Sequence, residues 1–161
     1  RLDVTRRDGE RMRIERDYDP VPVGSEEEDW NRRASIANMR STQEGWVWNG
    51  PEIPAHKPAF NDLLVARDGR IWVQRPGPGL RQEDCAEDPF TDSSWWRSPC
   101  WIDAALYDVF DPDGRYLGPV DAPAGFHLDS PRPWIEGDRV VAYVEGEDGT
   151  PRVKVFRLQR P

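Results

Sequence analysis

Residues 60–75 read FNDLLVARDGRIWVQR and residues 105–120 read ALYDVFDPDGRYLGPV, and these two stretches decide the fold. In both, an Asp-Gly-Arg step stands between two runs rich in β-branched and aromatic side chains. Asp-Gly between such runs is the strongest short-range signal of a β-hairpin, because a tight turn needs residues that accept a positive φ. The two stretches therefore predict two hairpins of two strands each.

Asp-Gly also occurs at residues 8–9 and 148–149, again between β-rich runs, so the pattern recurs four times along the chain. Four hairpins imply about eight short strands, which is typical of an all-β architecture. Two other interpretations stay open, namely four unrelated surface turns and a free-standing β-sandwich of the same strands. Strictly sequential pairing of the strands would count against the sandwich.

One segment predicts a helix instead. Residues 25–40 read SEEEDWNRRASIANMR, in which Ser25 and Glu28 have the spacing of a capping box. Acidic side chains cluster where the helix dipole favours them, and Trp30 and Ala34 begin a modest apolar stripe. We expect one short helix inside a long, proline-flanked connection between strands.

Composition narrows the class of protein. The 30 acidic residues outnumber the 22 lysines and arginines, giving a formal net charge of −8. No basic stripe replaces phosphate counterions, so nucleic acid is not an expected partner. No apolar run approaches the ~20 residues that cross a bilayer, so no membrane-spanning segment is expected. The 8 tryptophans indicate a folded chain, since disordered segments carry few large aromatic side chains.

The stretch from 60 to 120 resembles one blade of a six-bladed β-propeller of the TolB-like or NHL-like kind. In such a blade two strands, the second ending in Trp-Val or Tyr-Val, precede the sequence Val-Phe-Asp-Pro-Asp-Gly-Arg and an outer strand. Here these elements are residues 60–67, 70–75, 105–111 and 115–120. The resemblance implies an all-β fold of about two four-stranded antiparallel meander sheets, with one short helix in a long loop.

The resemblance also implies a domain organisation, in which residues 1–161 form a single partial propeller from the C-terminal part of a larger protein. Its parts are residues 1–20 (the last two strands of a blade), 21–59 (a helical connection), 60–120 (a complete blade with an insertion at 76–104) and 121–161 (a final three-strand blade). The insertion opens with Pro-Gly-Pro-Gly, which we expect to end the preceding strand. A propeller has about 4–8 blades, so the remaining blades of the same ring are expected partners.

Successive connections of such a meander alternate between two faces of the sheets. The long connections 18–60, 76–104 and 121–131 then share one face, which we call the long-loop face. Long loops on a rigid scaffold usually carry binding, so we expect a non-enzymatic binding or interaction scaffold that contacts a small ligand, a glycan or a protein there.

The alternative is part of a propeller hydrolase or lyase, lactonase-like or esterase-like, whose metal site lies mostly in missing blades. Motifs of nucleophilic, phosphate-binding or zinc chemistry are absent from the sequence, and no catalytic residue is predicted.

Tryptophans and carboxylates lie close together in these long loops. Flat indole faces stack on sugars or peptides, and carboxylates bind hydroxyls or cations. The candidate ligand-binding residues are Trp95, Trp96, Trp101, Asp84, Asp88, Asp92, His56 and His127. The alternative for the tryptophans is that they pack the loop onto the blade. Trp72, which falls in a predicted strand, is expected in the core.

Cys85 and Cys100 lie in the same loop. A disulfide between them would stabilise the fold by roughly 3 kcal/mol and would fit a periplasmic or extracellular location. Two free thiols and a metal site are the alternatives. No cofactor is predicted; calcium is a weaker possibility, because the acidic residues of the loop lack the order of a calcium-binding loop.

Overall fold

A computed structural model describes residues 1–85, 87–91, 99–122, 126, 128, 131–145 and 150–159, for residue 145 the backbone only. Within these residues the chain forms nine β-strands and one α-helix. In chain order they are β1 Leu2–Thr5, β2 Arg11–Ile14, α1 Ser25–Arg40, β3 Asp62–Val65, β4 Ile71–Arg81, β5 Trp101–Phe110, β6 Tyr116–Val120, β7 Trp134–Glu136, β8 Arg139–Glu145 and β9 Pro151–Arg157. The structure is mostly β, as predicted.

The described strands form three antiparallel sheets, and in each sheet they pair in chain order. The orders are β1-β2, then β3-β4-β5-β6 (the central sheet), then β7-β8-β9. In the central sheet Leu64 stands opposite Trp72, and Asp108 stands opposite Pro119. The prediction that residues 60–75 and 105–120 enter one sheet is confirmed, and sequential pairing of these strands counts against a β-sandwich.

Asp-Gly turns close the predicted hairpins. Gly9, Gly69 and Gly114 take φ values of +91°, +84° and +82°, a conformation that glycine adopts without steric cost. Three predicted hairpins are therefore confirmed together with their turns. The pairing of β8 with β9 confirms the fourth hairpin, whose predicted turn at 148–149 lies outside the described residues.

The chain divides into two compact units. Unit 1 comprises Arg1–Asp19, Pro58–Pro76 and Ala105–Pro161, and unit 2 comprises Pro20–Lys57 and Gly77–Ala104. Unit 1 contains the sheets apart from the ends of β4 and β5, and unit 2 contains α1. The two segments predicted as long connections thus supply most of unit 2.

The central sheet is apolar on both faces within unit 1. Trp72, which is 1 % exposed as expected of a core residue, packs with Ile135 of β7 and its neighbours in β8. Its neighbours in sequence, Ile71 and Val73, pack instead with Ile14 of β2. Because successive side chains of a strand point to opposite faces, β1-β2 covers one face of the central sheet and β7-β8-β9 covers the other.

The Pro-Gly-Pro-Gly stretch does not end β4, which continues through it to Arg81, so that expectation is wrong. The carbonyl oxygen of Gln74 accepts a hydrogen bond from the amide of Asn61 at 2.7 Å, so the even-numbered residues of β4 turn their backbone groups toward β3. Among the described strands, none lies on that side beyond Asp62, where β3 begins. The prolines therefore remove no ladder hydrogen bond there.

Glycine between the two prolines allows β5 to approach closely. A Cβ atom on Gly77 would lie 2.7 Å from the carbonyl oxygen of Ala104, closer than real side chains come to a backbone oxygen. The hairpin of β4 and β5 consequently extends beyond the predicted strand ends at 75 and 105.

Helix α1 spans the predicted residues 25–40. Its N-cap is Gly24, whose amide donates to the Glu27 carboxylate at 3.5 Å. The capping box predicted from Ser25 is therefore wrong by one position, because Ser25 already lies in the first helical turn. Glu27, Trp30 and Ala34 form the buried stripe of the helix. In the described part of the chain, no helix combines the length and the apolar character needed to cross a bilayer.

The Asp68 carboxylate joins two turns of unit 1. It accepts hydrogen bonds from the amide of Gly137 at 2.8 Å and from the guanidinium of Arg70 at 2.6 Å. Burial raises the pKa of Asp68, but the hydrogen bonds from Arg70 and from the Gly137 amide outweigh burial and hold this pKa below its usual 3.8. A carboxyl group of lowered pKa stabilises the fold above its unfolded-state pKa, and this contribution is lost as the pH falls through the folded-state value.

Replacing Asp68 by alanine is expected to lower the free energy of unfolding by about 1–2 kcal/mol at pH 7. The difference from the wild type should begin to shrink as the pH falls below about 3.8, where the unfolded chain takes up the proton, and should be lost once the pH passes the lower folded-state pKa. Asp8→Ala is the matched control, since Asp8 holds the same turn position and accepts from the Glu10 amide at 3.0 Å without a second turn to join. Urea unfolding at both pH values measures the effect. Equal losses in the two variants would contradict the linking role.

Candidate functional site

Unit 2 is built around the disulfide between Cys85 and Cys100, whose Cα atoms are 4.8 Å apart. The predicted bond is confirmed, and the alternatives of free thiols and thiolate metal ligands are wrong. Cys100 is buried against Trp30 and Ala34 of α1, and Trp101 packs on the same cluster. The disulfide therefore ties the segment that follows β4 both to the start of β5 and to the helix.

A buried ion-paired lysine is the second organising feature of unit 2. The Nζ of Lys57 lies 2.6 Å from Oε1 of Glu27 and also donates to Oδ1 of Asp103. The side chains of Lys57 and Glu27 are 4 % and 7 % exposed, whereas that of Asp103 is 36 % exposed. Burial lowers the pKa of Lys57, but the hydrogen bonds to Asp103 and Glu27 outweigh it and raise this pKa above the usual 10.5. Lys57 is therefore a charged link between elements and is not suited to act as a neutral nucleophile.

The structure places four of the predicted ligand-binding residues in different settings. Trp101 is half-buried in the disulfide cluster, which is the packing alternative considered for it. The Asp88 carboxylate accepts from the amide of Phe90 at 3.1 Å and so closes a turn. Asp84 and His56 are exposed. Among the described residues, no hydrogen bond or ion pair joins these side chains to Trp101.

The other four predicted ligand-binding residues, Trp95, Trp96, Asp92 and His127, lie outside the described residues. A ligand-binding role for the full set stays a prediction.

One group of potential metal ligands occurs in the part of unit 2 that the structure describes. Atoms of Cys85, Glu87 and Cys100 lie within 4.8 Å of one another. Both sulfurs are in the disulfide and so cannot serve as thiolate ligands. The exposed Glu87 carboxylate is also paired with Arg81. This group does not form a metal centre.

A second constellation, which the sequence did not reveal, lies in unit 1 around Asp108. The Asp108 side chain is 3 % exposed, and its carboxylate accepts hydrogen bonds from Arg16 and from the phenol of Tyr116, the latter at 2.9 Å. A terminal nitrogen of Arg75 also donates to this carboxylate, at 3.5 Å. Nε of Arg75 lies 2.5 Å from it, but the N–H of Nε is not aligned with an acceptor among the described residues. Two guanidinium groups thus face one buried carboxylate.

Tyr116 also orients one of the arginines. The guanidinium carbon of Arg16 lies 4.0 Å above the centre of the Tyr116 ring, a cation–π geometry. Burial, followed by the hydrogen bond to Asp108, raises the pKa of Tyr116 above its usual 10. The phenol therefore stays protonated at physiological pH and remains a donor.

A cavity of about 60 Å³ adjoins this constellation within unit 1, and its polar lining is formed by Arg1, Arg16, Arg75 and Asp108. The apolar lining includes Leu2, Ile14, Tyr18, Phe60, Val73 and Phe110. Small-molecule sites share this concave, mostly apolar form with a few convergent charged groups, but their volumes are usually about 300–1,000 Å³. This cavity can therefore enclose only a small group such as a carboxylate.

One feature of the sequence could have indicated this site. In the sequence, Asp108 stands between Tyr107 and Val109-Phe110 inside a predicted strand, and the structure buries all four residues. A buried carboxylate requires ionic or hydrogen-bonding partners. The partners, Arg16 and Arg75, lie 92 and 33 positions away in sequence, and no local pattern connects them to Asp108.

Comparison with known proteins gives no relative from which a function could be transferred: no family model, no curated protein and no solved structure matches this chain.

Proposed function

We propose that this chain is part of a non-enzymatic binding scaffold of the six-bladed β-propeller kind, TolB-like or NHL-like. The observation that carries the proposal is the central sheet, a four-stranded meander whose two faces are both covered by further meander sheets within unit 1. Blades of a propeller are four-stranded sheets repeated radially around an axis, so each blade buries both faces on its neighbours.

The third sheet, β7-β8-β9, has an exposed apolar face that a further sheet could cover. Val140, Ala142 and Val144 of β8 are buried on the side of the central sheet. On the opposite face, Val153 and Val155 of β9 are 74 % and 62 % exposed. A contiguous exposed apolar patch marks an interaction surface. The occupant that fits this patch is another blade of the same protein, which would cover the third sheet as the third sheet covers the central one.

We place ligand contact on the long-loop face, whose insertions form unit 2. Unit 2 has its own apolar cluster around the disulfide and its own buried ion pair between Lys57 and Glu27. These insertions are therefore a compact element. A rigid scaffold that presents ordered loops is the usual arrangement of a binding module. The disulfide also fits a periplasmic or extracellular location, where such bonds persist.

A screen of the chain on a glycan array and a peptide array tests the binding role. The informative variant replaces residues 86–99 by Gly and Ser and keeps both cysteines. The matched control inserts four Gly/Ser residues at the Asp8-Gly9 turn, on the opposite predicted face. We expect the wild type and the control to bind the same class of probe, and the 86–99 variant to lose it. No bound probe, or binding that survives the replacement, would overturn the proposal.

The hydrolase or lyase alternative has its own readout. The full-length protein is assayed for bound Ca²⁺ and Zn²⁺ and for hydrolysis of lactone and ester substrates. On the proposal, neither stoichiometric metal nor turnover is expected. Metal at one equivalent together with metal-dependent turnover would refute the non-enzymatic assignment while leaving the propeller architecture intact.

A further inference from the structure

The Asp108 cavity of unit 1 has more hydrogen-bond donors than its own carboxylate uses. An arginine carries five N–H donors, and a carboxylate offers about four lone-pair positions. Asp108 already accepts hydrogen bonds from Arg16, Tyr116 and a terminal nitrogen of Arg75. The N–H of Arg75 Nε is buried and has no aligned acceptor among the described residues. The two guanidinium groups thus retain donors, and with one carboxylate between them they leave a net positive charge.

We propose that this cavity binds a small monocarboxylate with an apolar or aromatic body, held by Arg16 and Arg75. Arginine matches a carboxylate because its planar fork donates two parallel N–H groups to the two oxygens. Tyr116 stacks on Arg16 and limits its motion, which reduces the entropy lost when a ligand is fixed. The cavity includes Tyr18 and Phe60, the first and last residues of the long connection 18–60, but it does not depend on the propeller assignment.

The walls of the cavity select the rest of the ligand. Phe110 and Val73 are buried inside, whereas Phe60 and Tyr18 are 37 % and 42 % exposed. The exposed aromatic rings can cover the hydrocarbon part of a ligand whose carboxylate reaches the arginines. An inorganic anion would leave this apolar surface without a partner, and a cation would face two guanidinium groups. The combination therefore favours an amphipathic carboxylate over phosphate or an amine.

Benzoate is the first probe, and benzyl alcohol and inorganic phosphate are its neutral and purely ionic counterparts. Each is titrated into the 161-residue chain while the side-chain Nε–H signals of the arginines are followed by NMR. Benzoate is expected to shift the signals of Arg16 and Arg75 in a saturable manner, and the two counterparts are not. Absence of a benzoate shift, or equal binding of benzyl alcohol or phosphate, would overturn the proposal.

Two substitutions separate the ionic and apolar parts of the site. Arg16→Gln is expected to weaken benzoate binding by about tenfold or more, since a charged hydrogen bond is lost. Arg16 is 37 % exposed, so this variant is expected to fold. Arg13→Gln is the matched control, because Arg13 pairs with Asp3 on the surface. Phe60→Ala should weaken benzoate several-fold and leave acetate unaffected. Equal affinity in the Arg16 and Arg13 variants would refute the assignment.

The effect of Asp108→Asn on benzoate affinity distinguishes a ligand site from a purely structural ion pair. Asp108→Asn removes the negative charge that occupies the two arginines, so benzoate should bind more tightly while the fold becomes less stable. A cluster with only a structural role predicts the loss of stability without tighter binding. If the variant does not fold, the Arg16 and Phe60 variants still decide the proposal.

Discussion

Replacing Lys57 by methionine is expected to lower the free energy of unfolding by about 3–5 kcal/mol. The change removes the ammonium group and leaves the Glu27 carboxylate, 7 % exposed, without its ionic partner. A charge left alone in a buried position costs far more than the ion pair itself contributes, because water cannot return to solvate it. Asp103 loses the same partner but is 36 % exposed, so its carboxylate can be rehydrated at small cost. Most of the loss therefore arises from Glu27.

Lys154, an exposed residue of β9, provides the matched control. Lys154→Met should change the free energy of unfolding by no more than about 0.5 kcal/mol. The double variant Lys57→Met with Glu27→Leu should recover most of the stability, since both buried charges are then replaced by apolar groups. Urea unfolding followed by the far-ultraviolet signal of α1 measures all three variants. A Lys57 variant no less stable than the Lys154 variant would show that the ion pairs do not support unit 2.

The pH dependence gives an independent check of Lys57. Its pKa is raised above 10.5 in the folded chain, so the folded state holds this proton more tightly than the unfolded state. The contribution is complete below the unfolded-state pKa and is lost as the pH rises through the folded-state value. The wild type should therefore lose stability above about pH 10.5, and the double variant should lose less over the same interval.

Local features of the fold could be predicted from the sequence, because they depend on residues close together in the chain. Asp68-Gly69 and Asp113-Gly114 lie between β-rich runs, and the hairpins follow from turn chemistry alone. The helix at 25–40 could be predicted for the same reason. The extension of β4 past Pro76 was not, because proline ends a strand only where its missing N–H would have met a neighbouring strand. That neighbour is a property of the sheet and not of the tetrapeptide.

The candidate sites show the same limit. The disulfide was predictable because two cysteines in one loop have few other partners. The three charged residues of the Lys57 ion pairs, by contrast, come from α1, from the segment before β3 and from β5. Each looks like an ordinary surface charge in sequence, in a chain where acidic residues are common. Only the packing of unit 2 shows that Lys57 and Glu27 are buried. The pairing of Arg16 and Arg75 with Asp108 could not be predicted for the same reason, since these residues are far apart in sequence.

Removing the disulfide by Cys85→Ala with Cys100→Ala is expected to lower the free energy of unfolding by about 3 kcal/mol. The bond joins residues 15 positions apart, and closing a loop of that length reduces the conformational entropy of the unfolded chain. Alanine at position 100 keeps an apolar group against Trp30 and Ala34, so the substitution adds only a small cavity to the loss of the cross-link. The effect should be concentrated in unit 2, since Cys85, Cys100 and α1 all belong to it.

Reduction of the wild type is the matched experiment, because it breaks the same bond without changing any residue. Cys100 is 1 % exposed and Cys85 is half-buried, so the reductant can attack only at Cys85 until unit 2 opens, and a low concentration of urea should accelerate the reaction. The reduced wild type and the double alanine variant should then unfold at similar urea concentrations, and the reductant should leave the variant unchanged. Hydrogen exchange of the amides in α1 should accelerate in both. If oxidised and reduced chains unfold at the same urea concentration and exchange equally in α1, the disulfide is dispensable and unit 2 depends on the Lys57 ion pairs and the Trp30 cluster alone.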